Sequence, residues 1–481
     1  MREPDLDLAE QEMVAEGCPN AQDSSFAKGQ HLSRSATGRS AAWSAASRQL
    51  AATAEQIADT SKRLNSLLAE PRVRRAMRVA PGPTSRFAAA LSRILVGKSR
   101  LGCVPHGGRF ARTLAAASAV TGRNSLASHV AALALRLRIF AVAEMHPELY
   151  EDPQMTSMIA ALSAGKQLEA LQIFRSIKAE RGTAGAMSDL APVFTELTAL
   201  LAMLDNNPFN DAVAWSFTTG NAPKGEPLLG VSTDWIAGFE RGEGKAVQVD
   251  LDDDVKSRLH PEFGVEARIR DIGEVREWGY VLVQHIDCED GKRRYVFQLP
   301  GMTADEVSGG STQDLLGAIR NCQFPDSTYT RALKKTVAAQ EIPEGAEIAL
   351  IGHSQGGLVA MNLAEDEDFT SRFTVTHVVA VGSPVDTKDP DPSVWCASVT
   401  NQHDLVPSLD GRGPGSPFNP HPEWYEVDFA DPSHGFPACH HAFKYADNLR
   451  DDVPFAAARI DGEMARYRGR IARTTAWILE D

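Results

Sequence analysis

The stretch Glu347-Ile-Ala-Leu-Ile-Gly-His-Ser-Gln-Gly-Gly-Leu-Val-Ala-Met-Asn-Leu363 decides how the second half of the chain folds. Its apolar residues Ile348–Ile351 predict a buried strand, and the apolar run that begins at Leu358 has the spacing of a helix. Between them, Gly352-His-Ser-Gln-Gly356 matches the pattern G-x-S-x-G. Between a strand and a helix, this pattern exposes a serine hydroxyl on a tight turn, where the glycines avoid a Cβ clash. The sequence therefore predicts Ser354 as a nucleophile.

A nucleophilic serine requires two partners, and the sequence offers candidates for the acidic one. A histidine must take the serine proton, and a carboxylate must orient that histidine. After a strand–serine–helix unit, the carboxylate follows the serine in the chain and the histidine comes last. Asp404 stands in the polar turn Thr400–Pro407, whereas Asp386 stands in a charged run typical of a solvated loop. We expect Asp404 to be the acid, with Asp386 as the alternative.

The histidine candidates downstream of the serine are His421, His434, His440 and His441. His441 directly precedes an apparent helix, a position suited to a base at the strand ends, so we expect it to be the base. His440 and His434 remain open as alternatives. A metal could instead be bound by the cluster His434, Cys439, His440 and His441. However, adjacent histidines are poorly spaced for a tetrahedral site. We expect neither a metal nor another cofactor.

Acyl transfer also needs backbone N–H groups that stabilise the developing oxyanion. One such donor is normally the residue after the nucleophile, here Gln355, and the other comes from the loop after an earlier strand. That loop is Leu299-Pro-Gly-Met302, which follows the predicted strand Tyr295–Gln298. The sequence therefore predicts the N–H groups of Gln355 and Met302 as the oxyanion hole.

The two halves of the chain have different predicted folds. After about Asn210 the sequence becomes rich in Gly, Pro, aromatic and β-branched residues, and predicted strands alternate with helices. This alternation predicts an α/β class with a mainly parallel sheet. The half before it is Ala-rich and all-helical. We therefore predict a disordered leader at residues 1–35, a helical domain of unknown role at 36–215 and a catalytic domain at 216–481.

Apolar residues recur at helical spacing from Ser40 onward, with a predicted break at Pro81-Gly-Pro83. Further helices are predicted at Phe87–Leu95, Arg109–Val120, Ser125–Ala143, Thr156–Ala179 and Pro192–Leu204.

Charge is distributed unevenly along the chain. Residues 32–140 contain 18 Lys and Arg but 3 Asp and Glu, a net charge of +15, although the whole chain carries −14. Within this stretch, residues 72–100 interleave arginines with apolar residues, a pattern suited to an anionic membrane surface. Pairing with the acidic half of the chain is the simpler interpretation. Nucleic acid is not expected as a partner, because aromatic residues are scarce in the segment and the protein is acidic.

The N-terminal residues do not have the pattern of a secretory signal peptide. The N-terminus is acidic and polar, and the most apolar segment, Ser125–Met145, is interrupted by Arg136 and Arg138. The six cysteines form no CxxC pair. We expect a cytoplasmic protein, with export by a route that needs no signal as the alternative.

The region from about Arg294 to Leu449 resembles the lipase and esterase branch of the α/β hydrolases. It is similar to class 3 lipases, to GPI inositol-deacylase-like proteins and to uncharacterised actinobacterial α/β hydrolases. The resemblance rests on RRYVFQLPG, IGHSQGGLVAMNLA, HVVAVGSP, NQHDLVPSLDG and HHAFKYADNL. It implies Ser354, Asp404 and His441 as the triad. Many relatives have Thr or Ser where this chain has Met302, which offers only its N–H to an oxyanion.

Together these features predict a serine hydrolase that cleaves a small-molecule or lipid ester through an acyl-enzyme. Thioester or amide hydrolysis would use the same triad. A third hypothesis is a helical protein that docks on a membrane or a partner and carries a degenerate hydrolase domain, although all three triad positions are filled.

Overall fold

The computed structural model describes residues 38–96, 125–146, 148–164, 166–204, 211–220, 242–303, 310–410, 421–431 and 435–481. The predicted leader at 1–35 and the predicted helix at 109–120 lie outside these residues.

The first half of the described chain is helical. Its helices are α1 (Gly38–Ala69), α2 (Pro71–Val79), α3 (Pro81–Val96), α4 (Leu126–Met145), α5 (Glu148–Glu151), α6 (Pro153–Ser163), α7 (Gln167–Leu190), α8 (Phe194–Leu204) and α9 (Asp211–Thr219). The predicted break in the first helical run occurs at two places, Glu70 and Ala80, and Pro81 begins α3. Proline is tolerated there because the first N–H of a helix has no partner within the helix. The predicted helix at 156–179 is divided between α6 and α7.

Small residues allow α1 and α4 to pack closely. The Ser40 hydroxyl donates to the Ala141 carbonyl oxygen at 3.0 Å, and the Ser47 hydroxyl donates to that of Ala134 at 2.7 Å. All four residues are buried. Such short side chains bring the helix backbones together while satisfying their own hydrogen bonds. The Ala-rich composition is therefore a packing requirement of this helix pair.

Helix α4 is long and apolar enough to cross a membrane, judged by length and composition alone. However, ten of its residues are buried within the helical half. Arg138 is among them, and its guanidinium donates to the carbonyl oxygens of Phe217 and Thr218. A buried core helix of a soluble bundle meets the same criteria as a membrane span, so the finding is weak evidence for one.

The second half is built on one sheet with the strand order β1-β8-β2-β3-β4-β5-β6-β7. Neighbouring strands from β3 to β7 are parallel, whereas β1, β8, β2 and β3 pair antiparallel. The strands are β1 (Lys245–Val249), β2 (Val281–Cys288), β3 (Arg293–Leu299), β4 (Glu347–His353), β5 (Thr374–Val381), β6 (Trp395–Asn401), β7 (Trp424–Phe429) and β8 (Gly469–Glu480). This confirms the predicted mainly parallel sheet.

Helices cover both faces of the sheet. They are α10 (Asp253–Arg258), α11 (Val265–Val275), α12 (Leu315–Gln323), α13 (Thr328–Ala339), α14 (Gln355–Glu365), α15 (Glu367–Thr370), α16 (Ala442–Asp451) and α17 (Pro454–Glu463). Leu350 packs among the residues of α13 and α14, whereas its neighbour Ile351 packs with α11 and α16. Alternate residues of one strand thus serve two separate cores.

The two halves of the chain are in contact. The Thr195 hydroxyl of α8 donates to the Ser408 carbonyl oxygen at 3.0 Å, and the ring of His146 meets that of His403 edge to face at 5.9 Å. All four residues are buried. The predicted domain boundary at 215/216 falls inside α9, which packs against α8 and α4. The helical half therefore extends at least to Thr219.

Close backbone packing at Gly356 gives the first prediction. A Cβ at this position would lie 2.0 Å from the Leu299 carbonyl oxygen, an atom of the adjacent strand that has no room to move. We expect Gly356→Ala to lower the free energy of unfolding by roughly 3 kcal/mol, measured by urea denaturation. Gly462→Ala is the control, because a Cβ there meets nothing within 4 Å. Equal stability of the two variants would contradict this packing.

Candidate active site

Ser354 occupies the turn between β4 and α14, as the sequence predicts. Its backbone has φ of 57° and ψ of −124°, an unusual conformation for a residue with a side chain. Its N–H donates to the Val381 carbonyl oxygen at 2.9 Å, which ties the turn to β5. A Cβ on Gly352 would lie 2.3 Å from the Gly356 carbonyl carbon, so the turn requires glycine there. The arrangement holds the serine hydroxyl at the carboxyl end of the sheet.

The histidine beside this serine is His440. Its Nε2 lies 2.9 Å from the Ser354 Oγ, and its Nδ1 lies 2.6 Å from the Asp404 Oδ2. Because an ionised carboxylate only accepts hydrogen bonds, Nδ1 carries the proton and Nε2 is free to accept the serine proton. The structure thus brings Ser354, His440 and Asp404 into one hydrogen-bonded chain.

The expectation that His441 contacts the serine is wrong. His440 ends a short 3-10 turn, Ala438–His440, whereas His441 has an extended backbone and caps the N-terminus of α16. Because of this change in backbone direction, the His441 ring is carried away and stacks against Phe443, with a centroid distance of 5.5 Å. The sequence pattern placed His441 correctly at the start of the helix, but no feature of the sequence indicated the turn before it.

The other candidates lie elsewhere. His421 hydrogen-bonds near the start of β7, through Nε2 to the Asp391 carbonyl oxygen and through Nδ1 to the Glu423 N–H. His434 lies outside the described residues. The backbone N–H of Asp386 donates to an Asp410 carboxylate oxygen at 2.9 Å, and its carboxylate is not the one that binds His440. Of the two candidate acids, Asp404 is therefore the one beside the histidine.

Asp404 is almost fully buried, and several donors hold its carboxylate. Oδ1 accepts the Val406 N–H at 3.0 Å. Oδ2 accepts the hydroxyl of Tyr445 at 2.8 Å as well as the Nδ1–H of His440. A buried carboxylate is costly unless such donors satisfy it. The set therefore keeps Asp404 in one orientation, directed at the histidine.

Tyr445 is a residue of this site that the sequence analysis missed. It lies on α16, fully buried, and its hydroxyl also accepts the N–H of Asn401 at 3.1 Å. Burial, together with the negative charge of Asp404, raises the pKa of Tyr445 well above its usual value. The phenol therefore stays protonated and donates to the carboxylate. Its position on the apolar face of a predicted helix made it indistinguishable from a core tyrosine.

His353, the residue before the serine, supports the backbone of the base. Its Nε2–H donates to the His440 carbonyl oxygen at 2.8 Å, and the two rings lie 4.9 Å apart. Burial holds the pKa of His353 well below its usual value. His353 is therefore neutral, so it supports His440 without placing a positive charge beside it.

The predicted oxyanion donors border the serine. A Cβ on Gly301 would lie 2.7 Å from the Ser354 Cβ, which places the loop before Met302 directly against the nucleophile. Gln355 begins α14, where backbone N–H groups have no partner within the helix. Within the described chain, neither the Gln355 N–H nor the Met302 N–H donates to a backbone carbonyl outside regular elements. Both are thus available to an oxygen placed beside Ser354.

The alternative of a metal site has no support in the described residues. Within them, no group of three or more His, Cys, Asp or Glu side chains is arranged to hold a metal ion. Burial raises the pKa of the Cys439 thiol to about 12, and its Sγ contacts the His403 carbonyl oxygen. Burial thus disfavours the thiolate, which is the form that binds metals.

Comparison with known proteins agrees with this architecture. Residues 274–480 match the family model described as "Alpha/beta hydrolase family". No curated protein and no solved structure matched the chain. The matched region contains the parallel strands and the turn that carries Ser354. It also contains His440, which is hydrogen-bonded to Ser354, and Asp404, which is hydrogen-bonded to His440. The predicted fold class is confirmed: the C-terminal part of the chain has an α/β-hydrolase domain with a mainly parallel sheet, preceded by a helical region.

Proposed function

We propose that the α/β-hydrolase domain is a serine hydrolase that cleaves carboxylic esters through an acyl-enzyme. One observation carries this proposal: the hydrogen bonds that link Ser354 to His440 and His440 to Asp404. This order of donors and acceptors is the one in which a serine hydroxyl becomes nucleophilic at neutral pH.

In the first half of the reaction, the Ser354 Oγ attacks the ester carbonyl carbon and its proton moves to the His440 Nε2. The negative charge develops on the former carbonyl oxygen, where the N–H groups of Gln355 and Met302 donate to it. His440 then gives its proton to the departing alkoxide oxygen, and the alcohol leaves. An acyl group remains bonded to Ser354.

In the second half, His440 takes a proton from water, and the resulting hydroxide attacks the acyl carbon. The tetrahedral intermediate collapses, the bond to the Ser354 Oγ breaks, and His440 returns the proton to that oxygen. The products are a carboxylic acid and the restored serine. Asp404 stabilises the imidazolium formed in each half without taking its proton.

The acyl and alcohol groups of the substrate are proposed only by chemical class. Five stretches of the sequence resemble lipases and esterases, so an ester of a lipid or of a small molecule is the proposed substrate. The same steps would cleave a thioester or an amide, with a thiol or an amine as the leaving group. Hydrolysis rates on acyl-matched oxygen esters, thioesters and amides separate these reactions, because the acyl-enzyme is common to all three.

The triad gives the second prediction. We expect Ser354→Ala, His440→Ala and Asp404→Asn each to lower kcat on a p-nitrophenyl ester by at least about a thousandfold, since triad members act as a unit. Ser354→Ala should also abolish labelling by a fluorophosphonate probe. The matched control is His441→Ala, which removes the adjacent imidazole and should leave kcat within about threefold.

Two results would contradict the proposal. Loss of activity in His441→Ala with retention in His440→Ala would exclude His440 as the base. Absence of both labelling and ester hydrolysis in the correctly folded wild-type protein would instead indicate a degenerate hydrolase domain.

Tyr445 gives the third prediction, because its hydroxyl positions Asp404. We expect Tyr445→Phe to lower kcat several-fold with little change in KM, and to cost about 1 to 3 kcal/mol of stability, since the Asn401 N–H loses its acceptor. Steady-state kinetics and urea denaturation measure the two effects. Tyr425→Phe is the control: Tyr425 is also buried, but within the described chain its hydroxyl makes no hydrogen bond. Identical kinetics for the two variants would exclude a positioning role.

A further inference from the structure

A strongly basic surface outside the active site is carried by α2 and α3, which we call the basic hairpin (residues 71–96). Its exposed arginines are Arg72, Arg75, Arg78, Arg86 and Arg93. The sequence has no Asp or Glu between Glu70 and Glu144. The basic hairpin is therefore positive without interruption, although the whole chain has a net charge of −14.

Within the part of the chain that the structure describes, acidic side chains do not pair with these arginines. Within the described residues, none of the five guanidinium groups forms an ion pair, and Arg93 donates only to the Ala89 carbonyl oxygen of its own helix. The simpler interpretation of the charge asymmetry, pairing within the chain, is thus not seen in the described part of the structure. Among the described residues, the five guanidinium groups are therefore exposed and available to an external anion.

Large apolar side chains are exposed beside the arginines. Val79 is 80% exposed, Phe87 is 45% exposed and Ile94 is 44% exposed. Phe87 and Ile94 are seven residues apart, which is about two helical turns, so they lie on one face of α3. Arg86 and Arg93 precede them with the same spacing and form a parallel row. Leu91 of the same helix is buried, so one side of α3 is already packed.

We propose that the basic hairpin docks the protein on the surface of a bilayer that contains anionic phospholipids. Arginine guanidinium groups bind lipid phosphates, while the adjacent apolar side chains enter the boundary between head groups and acyl chains. The acidic remainder of the chain is repelled by the same surface, so the charge distribution also orients the protein. The phosphates of a nucleic acid would bind the arginine guanidinium groups equally well. However, they would leave the side chains of Val79, Phe87 and Ile94 exposed to water.

The test measures sedimentation of the full-length protein with vesicles of phosphatidylcholine alone and with vesicles of equal parts phosphatidylcholine and phosphatidylglycerol. We expect binding to the anionic vesicles that weakens as salt is added. Each cation near such a surface contributes about fivefold to partitioning. The triple variant Arg75→Gln/Arg86→Gln/Arg93→Gln should therefore bind roughly a hundredfold more weakly.

A matched control removes the same charge elsewhere. The variant Arg372→Gln/Arg470→Gln/Arg473→Gln changes three exposed arginines of the hydrolase domain and should retain wild-type binding.

A second variant tests the apolar side chains. Phe87→Ser/Ile94→Ser keeps every charge of the basic hairpin and should weaken vesicle binding while leaving any binding to duplex DNA unchanged. Hydrolysis of a soluble p-nitrophenyl ester should be unaffected in all three variants, so this proposal and the proposed catalytic function are tested separately.

The docking proposal is overturned by equal binding to both kinds of vesicle, by no binding to either, or by equal losses in the two triple arginine variants. Tighter binding to duplex DNA than to anionic vesicles, with no effect of Phe87→Ser/Ile94→Ser on either, would identify a nucleic-acid surface instead.

Discussion

The arrangement at the end of the sheet depends on a buried carboxylate. Asp404 is 1% exposed, and a carboxylate removed from water is stable only when donors surround it. Those donors come from three places in the chain: the Val406 N–H in its own loop, the Tyr445 hydroxyl on α16 and the His440 imidazole in the turn before α16. The hydrogen bonds that satisfy Asp404 therefore also set the position of α16 relative to β6, and with it the distance from His440 to Ser354.

The positions of Ser354 and Asp404 and the parallel strands could be predicted from the sequence, because each depends on local pattern. A strand, a tight turn and a helix are adjacent in sequence around Ser354, and Asp404 follows a recognisable strand. The histidine that contacts Ser354 could not be distinguished in the same way. His440 and His441 have the same side chain, and they differ in direction because a 3-10 turn ends between them, in which the Cys439 thiol donates to the His403 carbonyl oxygen of the Asp404 loop.

Strand β8 could not be predicted from local sequence either, because it depends on pairing with strands that are distant in sequence. Strand β8 pairs between β1 and β2. Residues of β2 that pair with it precede it by nearly 200 positions in sequence, and those of β1 by more than 220. The first residues of β8 are largely exposed and include two arginines, Arg470 and Arg473. The sequence therefore has only a weak apolar pattern of a strand there. Only pairing with β1 and β2 makes this segment a strand, and no local pattern reports that pairing.

The helical half is connected to the same buried carboxylate. Ser408 and His403 flank Asp404 in one loop, and both are covered by residues of the helical half, Thr195 and His146. Both residues are buried, so the helical half shields this loop from water where it contacts the loop. The basic hairpin belongs to the same helical half, through the packing of α2 and α3 on α1. The helices that carry the arginines and the helices that cover the Asp404 loop therefore belong to one helical region, which contacts the hydrolase domain beside the buried carboxylate.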